Sequence, residues 1–224
     1  MTALAVFDCD GTLVDSQRRI IRAMELAFEK QGLTPPSAEN TRRSVGLALP
    51  NAVAFVAPKN TTAELLALLT ENFRDAYRSL LTDPSYEEPL YPGALKALDT
   101  IAEAGILLAI ATGKGRRGLA HTLERHNLSG RFAVLKTADD GPSKPHPQIL
   151  LDLMAEVGAF PGSTVMLGDT SHDMAMAKAA RVSPIGVAWG YHPPEELKLS
   201  GAVDVLYSYD QAPSTVIKVL EHRG

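Results

Sequence analysis

A chain of 224 residues that is 45% hydrophobic and 21% charged can bury a large apolar interior, as one domain or as a core with a smaller insertion, and its composition excludes extended disorder. The formal charge of -4 disfavours a general nucleic-acid binder, because affinity for a phosphate backbone needs surplus Lys and Arg, but it leaves room for a small anionic substrate at a local positive site. One cysteine cannot form an intrachain disulfide, Met1-Thr2-Ala3-Leu4 lacks the basic start and apolar run of a secretion signal, and no run nears the roughly 20 apolar residues of a membrane span, so a cytoplasmic protein without membrane partners is expected.

Residues 4–7 form a continuous apolar run, as suits a strand buried on both faces. From about residue 15 to 89 the pattern is helical with no convincing strand. Ile20, Met24, Ala27 and Phe28 share one helical face, and Leu65, Leu69, Phe73, Ala76, Tyr77 and Leu80 share another. Asp83-Pro84-Ser85 and Glu88-Pro89 close this stretch with turn and linker chemistry, before Tyr91-Pro92-Gly93 opens the next helix. Apolar runs at 106–111, 164–167 and 184–189 then alternate with helical patterns at 93–104, 117–126, 147–157 and 172–180. The expected fold is α/β: a Rossmann-like parallel-sheet core from residues 1–14 and 90–224, with an all-helical insertion at 15–89.

Four short segments carry the chemistry. Asp8-Cys9-Asp10-Gly11-Thr12 follows the first strand, where functional groups of an α/β sheet gather. Two carboxylates two residues apart, with a Gly that permits a sharp turn, suit a nucleophile and a general acid/base, although a capping Asp with an Asp-Gly turn has the same pattern. Ala111-Thr112-Gly113-Lys114-Gly115 follows the second strand. Thr112 and nearby N–H groups there suit phosphate oxygens or, equally, the start of a helix. Ser143-Lys144-Pro145 holds a Lys between turn residues, able to set a compact positive charge against a phosphoryl group or to be a surface Lys. Gly168-Asp169-Thr170-Ser171-His172-Asp173 puts one carboxylate at a strand end and another in the first helical turn. Such hard oxygen ligands suit Mg²⁺, though each also fits as a helix N-terminal Asp. What favours the chemical reading is that all four segments fall at strand ends and together form a complete set.

In order and spacing these segments resemble the four motifs of the haloacid dehalogenase superfamily, and particularly its phosphoglycolate phosphatase-like and β-phosphoglucomutase-like branch. The resemblance spans the core, while residues 15–89 match the family's helical cap in position and character. It implies that Asp8 attacks phosphorus to form an aspartyl-phosphate, and that Asp10 protonates the leaving oxygen and later activates water. It further implies that Asp8, Asp169, Asp173 and the Asp10 backbone carbonyl serve a Mg²⁺ ion, and that Thr112, Gly113 and Lys144 hold phosphoryl oxygens. The cap would exclude water and choose the leaving group, with Arg42 and especially Arg43 as candidate substrate contacts. Cys9 reads as a small packing residue, and His146 and His172 as loop or cap residues. The segment Ala179-Ala180-Arg181 departs from relatives that often carry Gly at this helix end.

The implied activity is Mg²⁺-dependent hydrolysis of a small phosphorylated metabolite, a phosphoglycolate-like monoester, by a monomer or homodimer. A sugar phosphomutase of the β-phosphoglucomutase type would use the same residues. Dehalogenation has no use for Asp10, and a phospho-receiver domain would place its acidic pair first, not last.

Overall fold

The computed structural model describes residues 2–222. Six parallel strands, β1 (Thr2–Phe7), β2 (Leu107–Ala111), β3 (Val134–Lys136), β4 (Ala159–Gly168), β5 (Ser183–Val187) and β6 (Asp204–Leu206), form one sheet in the order β3-β2-β1-β4-β5-β6. Helices α1 (Gln17–Glu29), α2 (Ala38–Ser44), α3 (Leu49–Val56) and α4 (Ala63–Ser79) come between β1 and the rest of the sheet. After them come α5 (Ala94–Glu103), α6 (Arg116–Arg125), α7 (Gln148–Val157), α8 (Ser171–Ala179), α9 (Pro194–Ser200) and α10 (Ala212–Glu221). The α/β, Rossmann-like expectation is met. None of the described helices is long and apolar enough to cross a membrane.

The sheet is covered on both faces, which is why its strands read as unbroken apolar runs. Ala5 and Phe7 of β1 join the apolar cluster that holds Leu98 and Ile101 of α5 and Val216 of α10. Leu4 and Val6 point the other way, to Leu150 and Leu153 of α7 and Met176 of α8. The runs predicted at 4–7, 106–111, 164–167 and 184–189 are β1, β2, β4 and β5. β3 and β6 were not expected. They are edge strands of three residues each, too short to show a periodicity.

From β1 the chain builds outward through β2 and β3, then returns to the opposite side of β1 with β4. This reversal opens a crevice at the carboxyl ends of β1 and β4, the usual ligand position in an open α/β sheet. Phe7 is in register with Leu167, so Asp8 and Gly168-Asp169 emerge side by side.

The helices of residues 17–79 bury an interior of their own, in which Met24 and Phe28 of α1 meet Val53 of α3 and Leu69 and Phe73 of α4. Ser37 and Thr62 cap α2 and α4 by accepting the N–H groups of Asn40 and Leu65. The chain enters and leaves this helical segment through adjacent stretches joined by a single antiparallel bridge between Val14 and Leu90. The Asp15 N–H donates to the Pro89 carbonyl at 2.8 Å, and that of Tyr91 to the Leu13 carbonyl at 3.0 Å.

At the end of α8, Arg181 takes φ 61°, the left-handed conformation that Gly adopts more easily. The N–H groups of Arg181 and Val182 donate to the carbonyls of Lys178 and Ala177, a Schellman closure made without glycine.

Truncating Phe28, which is buried at the centre of the helical segment, has a defined cost. Phe28→Ala should destabilise the protein by about 3–5 kcal/mol in urea or thermal unfolding. Phe55→Ala, at an exposed position of α3, should change stability by less than about 0.5 kcal/mol.

Candidate active site

Loops following β1, β2 and β4 converge over the crevice, joined by the loop that carries Lys144. Asp8 is the first residue past β1, and its N–H still pairs with the Leu167 carbonyl at 2.9 Å, so the sheet holds the backbone where the functional side chain begins. Gly11 turns the chain at φ 80°, and a Cβ there would fall 2.2 Å from Asp169 Oδ2. Only glycine permits both the turn and the close approach. The Thr12 hydroxyl donates to Asp169 Oδ1 at 2.8 Å, and the Tyr191 N–H donates to Asp169 Oδ2 at 2.9 Å. Asp173 lies in the first turn of α8, where the Thr170 N–H and hydroxyl donate to its Oδ2 at 3.1 and 2.6 Å.

Lys144 joins two of these carboxylates. Its buried ammonium donates to Asp173 Oδ1 at 2.6 Å and pairs with Asp8 Oδ1 at 2.9 Å. The Lys144–Pro145 peptide is cis. Asp8, Asp169 and Asp173 are all buried, and one oxygen of each lies within 4.8 Å of the others. Burial pushes the Asp8 carboxyl up to about 7, opposed by Lys144 and reinforced by the charge of Asp173. Burial, with the charges of Asp173 and Asp8, also holds Asp169 well above the usual carboxylate range. Burial alone would lower the proton affinity of Lys144, yet Asp173 and Asp8 outweigh it and raise the affinity. Asp8 Oδ2 is buried with no hydrogen-bond partner among the described residues. Three mutually repelling carboxylates with one oxygen unmet fit a hard divalent cation, which needs oxygen ligands and supplies the missing positive charge.

Thr112 is buried just past β2, with its N–H on the Lys136 carbonyl at 3.0 Å and its Oγ1 accepting the Lys114 N–H at 3.2 Å. The helical segment lies directly on this loop, since a Cβ on Gly113 would sit 2.5 Å from the Gly46 carbonyl oxygen. It also touches the Lys144 loop, where the Ala48 N–H donates to Ser143 Oγ at 2.8 Å. Arg43 is bound to Glu196 of α9 at 3.2 Å. His172 Nε2 lies 3.4 Å from the Arg43 carbonyl, and its ring meets His192 edge-on, while His146 Nδ1 accepts the Gln148 N–H at the start of α7. Cys9 is fully buried, and burial with the charge of Asp10 pushes its thiol well up.

A second cluster was not foreseen. Asp10 Oδ1 is 2.6 Å from Lys114 Nζ, which also donates to the Tyr77 hydroxyl at 3.1 Å and lies 3.6 Å from Glu88 Oε2. Glu88 Oε1 pairs with Arg19 at 3.1 Å and accepts the Tyr77 hydroxyl. Arg19 and Lys114 both lie over the Tyr77 ring, 5.4 and 5.5 Å from its centre. Two signals were present in the sequence: Lys114 adjoins Thr112-Gly113, and Arg19 shares the buried helical stripe of Ala23 and Ala27.

A buried acidic centre thus lies at the switch point of a parallel α/β sheet, beneath a helical segment, where such sheets hold their ligands. Residues 5–187 match the family model of the haloacid dehalogenase-like hydrolases. Among similar proteins, "Probable phosphatase IndB" of Dickeya dadantii is 32% identical over 88% of this chain and 86% of its own. The phosphoglycolate phosphatase of Agrobacterium fabrum is 30% identical over 85% of this chain and 82% of its own. A hydrolase from Pseudomonas syringae shares the fold with a TM-score of 0.83 at 24% identity, covering 99% of both chains. β-Phosphoglucomutase of Clostridium difficile shares it with a TM-score of 0.82 at 19% identity, covering 99% of this chain and 98% of its own. The chain belongs to the haloacid dehalogenase-like hydrolase family.

The strained charge of Asp8 predicts a pH-dependent effect. Because its carboxyl is raised from 3.8 to about 7 in the folded chain, its ionisation costs nothing below pH 3.8 and destabilises the fold increasingly as pH rises to about 7. In EDTA, Asp8→Asn should therefore melt several degrees above the unsubstituted protein at pH 8, with a smaller gap at pH 5. Equal melting temperatures at pH 8 in scanning calorimetry would contradict this.

Proposed function

We propose that the protein is a Mg²⁺-dependent phosphatase that hydrolyses a small phosphorylated metabolite, a phosphoglycolate-like monoester, through an aspartyl-phosphate on Asp8. The broader class, a phosphoric monoester hydrolase, follows from the family and from relatives named as phosphatases at 32% and 30% identity. The observation that carries the finer reading is the position of Lys144. Its ammonium is 2.9 Å from Asp8 and 2.6 Å from Asp173, so a cation stands beside the nucleophile's own oxygen and the carboxylate cluster.

In this reading Asp8, Asp169, Asp173 and the Asp10 carbonyl hold the ion, and Thr112, Gly113 and Lys144 hold the phosphoryl oxygens. Bound Mg²⁺ would neutralise charge on the transferring group. Asp8 attacks phosphorus in line with the leaving oxygen, Asp10 gives that oxygen a proton, and Asp10 then takes a proton from the water that releases phosphate. Residues 15–89 serve as a cap that excludes water and selects the leaving group. The contacts of Gly46 and Ala48 with the Gly113 and Ser143 loops support that role, and Arg43 fastens the cap to α9 through Glu196.

Turnover of p-nitrophenyl phosphate should require Mg²⁺, stop in EDTA and return when Mg²⁺ is restored. Asp8→Asn should lower kcat by at least about 10³-fold, and Lys144→Ala by about 10²- to 10³-fold. Unchanged turnover in EDTA or in Asp8→Asn would sink the proposal. Interconversion of hexose phosphates without release of phosphate would point to a mutase.

A further inference from the structure

Arg19 is among the largest fully buried side chains, yet two of its donors are unmet. Nη1 is engaged by Glu88 at 3.1 Å, whereas Nε and Nη2 have no hydrogen-bond partner among the described residues. A buried guanidinium left this way costs free energy that folded proteins ordinarily avoid, so the unmet groups call for an acceptor. Nε and Nη2 form one edge of the guanidinium, the planar two-donor fork that matches a carboxylate.

This fork is close to the reacting groups. Glu88 bridges Arg19 to Lys114, whose ammonium is 2.6 Å from Asp10, the residue that faces the leaving oxygen in the phosphatase reading. The Tyr77 ring packs under both cations. Arg19 lies in the first turn of α1, a 13-residue helix with no acidic residue in that turn, so the helix dipole adds to the positive potential. Glu88 and Asp10 offset the two cations, and a fork with two open donors is what distinguishes the cluster from a closed ion-pair network.

We infer that Arg19, with Lys114 beside it, binds a carboxylate carried by the leaving group of the substrate. The inference rests on the phosphatase reading and assigns its specificity to named residues. Because Lys114 spans the short gap from Asp10 to Glu88, the carboxylate must lie only a few bonds from the scissile oxygen, which favours a short phosphorylated hydroxy acid. Lys114 already pairs with Asp10 and lies near Glu88, and an arriving carboxylate supplies that ammonium with a further anionic partner.

The test compares kcat/KM for phosphoglycolate and for ethyl phosphate, which has the same number of carbons but no carboxylate. The unsubstituted enzyme should prefer phosphoglycolate by at least about tenfold, and Arg19→Met should lose about 10- to 100-fold on phosphoglycolate while staying within about threefold on ethyl phosphate. Arg19→Lys, which keeps the charge but not the fork, should fall between them. Equal loss on both substrates would make Arg19 a bolt between helix and core and overturn the inference, as would an unsubstituted enzyme without preference. If neither ester nor an aryl phosphate is hydrolysed, the phosphatase reading fails and this inference fails with it. Should Arg19→Met not fold, inhibition of the unsubstituted enzyme decides: 3-phosphonopropionate must bind at least about tenfold tighter than propylphosphonate, and equal inhibition overturns the inference.

Discussion

The structure depends on how three carboxylates are kept together in a dry interior. Asp8, Asp169 and Asp173 approach to within 4.8 Å, and Lys144 reaches only two of them. Charge repulsion at this range is severe where water cannot screen it. The fold resists it with rigid fixtures: the register of β1 with β4, the capping box of Thr170 with Asp173, and the glycines that admit Asp169. The repulsion that remains is of the kind a bound cation would relieve, as Mg²⁺ does in the proposed reading.

On the far side of Asp10 the balance is arranged differently. Arg19, Lys114, Glu88 and Asp10 are two cations and two anions, buried except for the partly buried Lys114, and they come from α1, the β2 loop, the linker before α5 and the β1 loop. This neutral cluster ties the helical segment to the sheet, whereas the acidic cluster beneath it belongs to the core alone. The two meet in one short loop, since Asp8 is on one side of Cys9 and Asp10 on the other. In the proposed phosphatase, chemistry and choice of leaving group would then fall to neighbouring carboxylates with separate electrostatic surroundings.

The division between what was legible in the sequence and what was not has a physical basis. Asp8, Thr112, Lys144 and Asp169 occupy loops directly after or beside buried strands, and local patterns register such positions. Arg19, Tyr77 and Glu88 act through partners many residues away, and each has an ordinary local meaning as a helix residue or linker residue. Tyr77 counted as part of an apolar face, although its hydroxyl is engaged by Lys114 and Glu88. β3 and β6 escaped notice because three residues cannot display a period. Arg181 was legible as an oddity, and its left-handed φ shows that the helix closure survives without glycine.

The antiparallel bridge at Val14 and Leu90 has a kinematic consequence. With both connections side by side and joined by backbone hydrogen bonds, the chain passes between sheet and helical segment along a single covalent seam, and the other attachments are side-chain and loop contacts. Twisting or sliding would break the Asp15–Pro89 pairing, but pivoting about the seam requires only small torsional changes in a few residues. A pivot about that seam is therefore the displacement the two connections oppose least, and what opposes it is the set of contacts that Arg43, Ala48 and Tyr77 make with Glu196, Ser143 and Lys114.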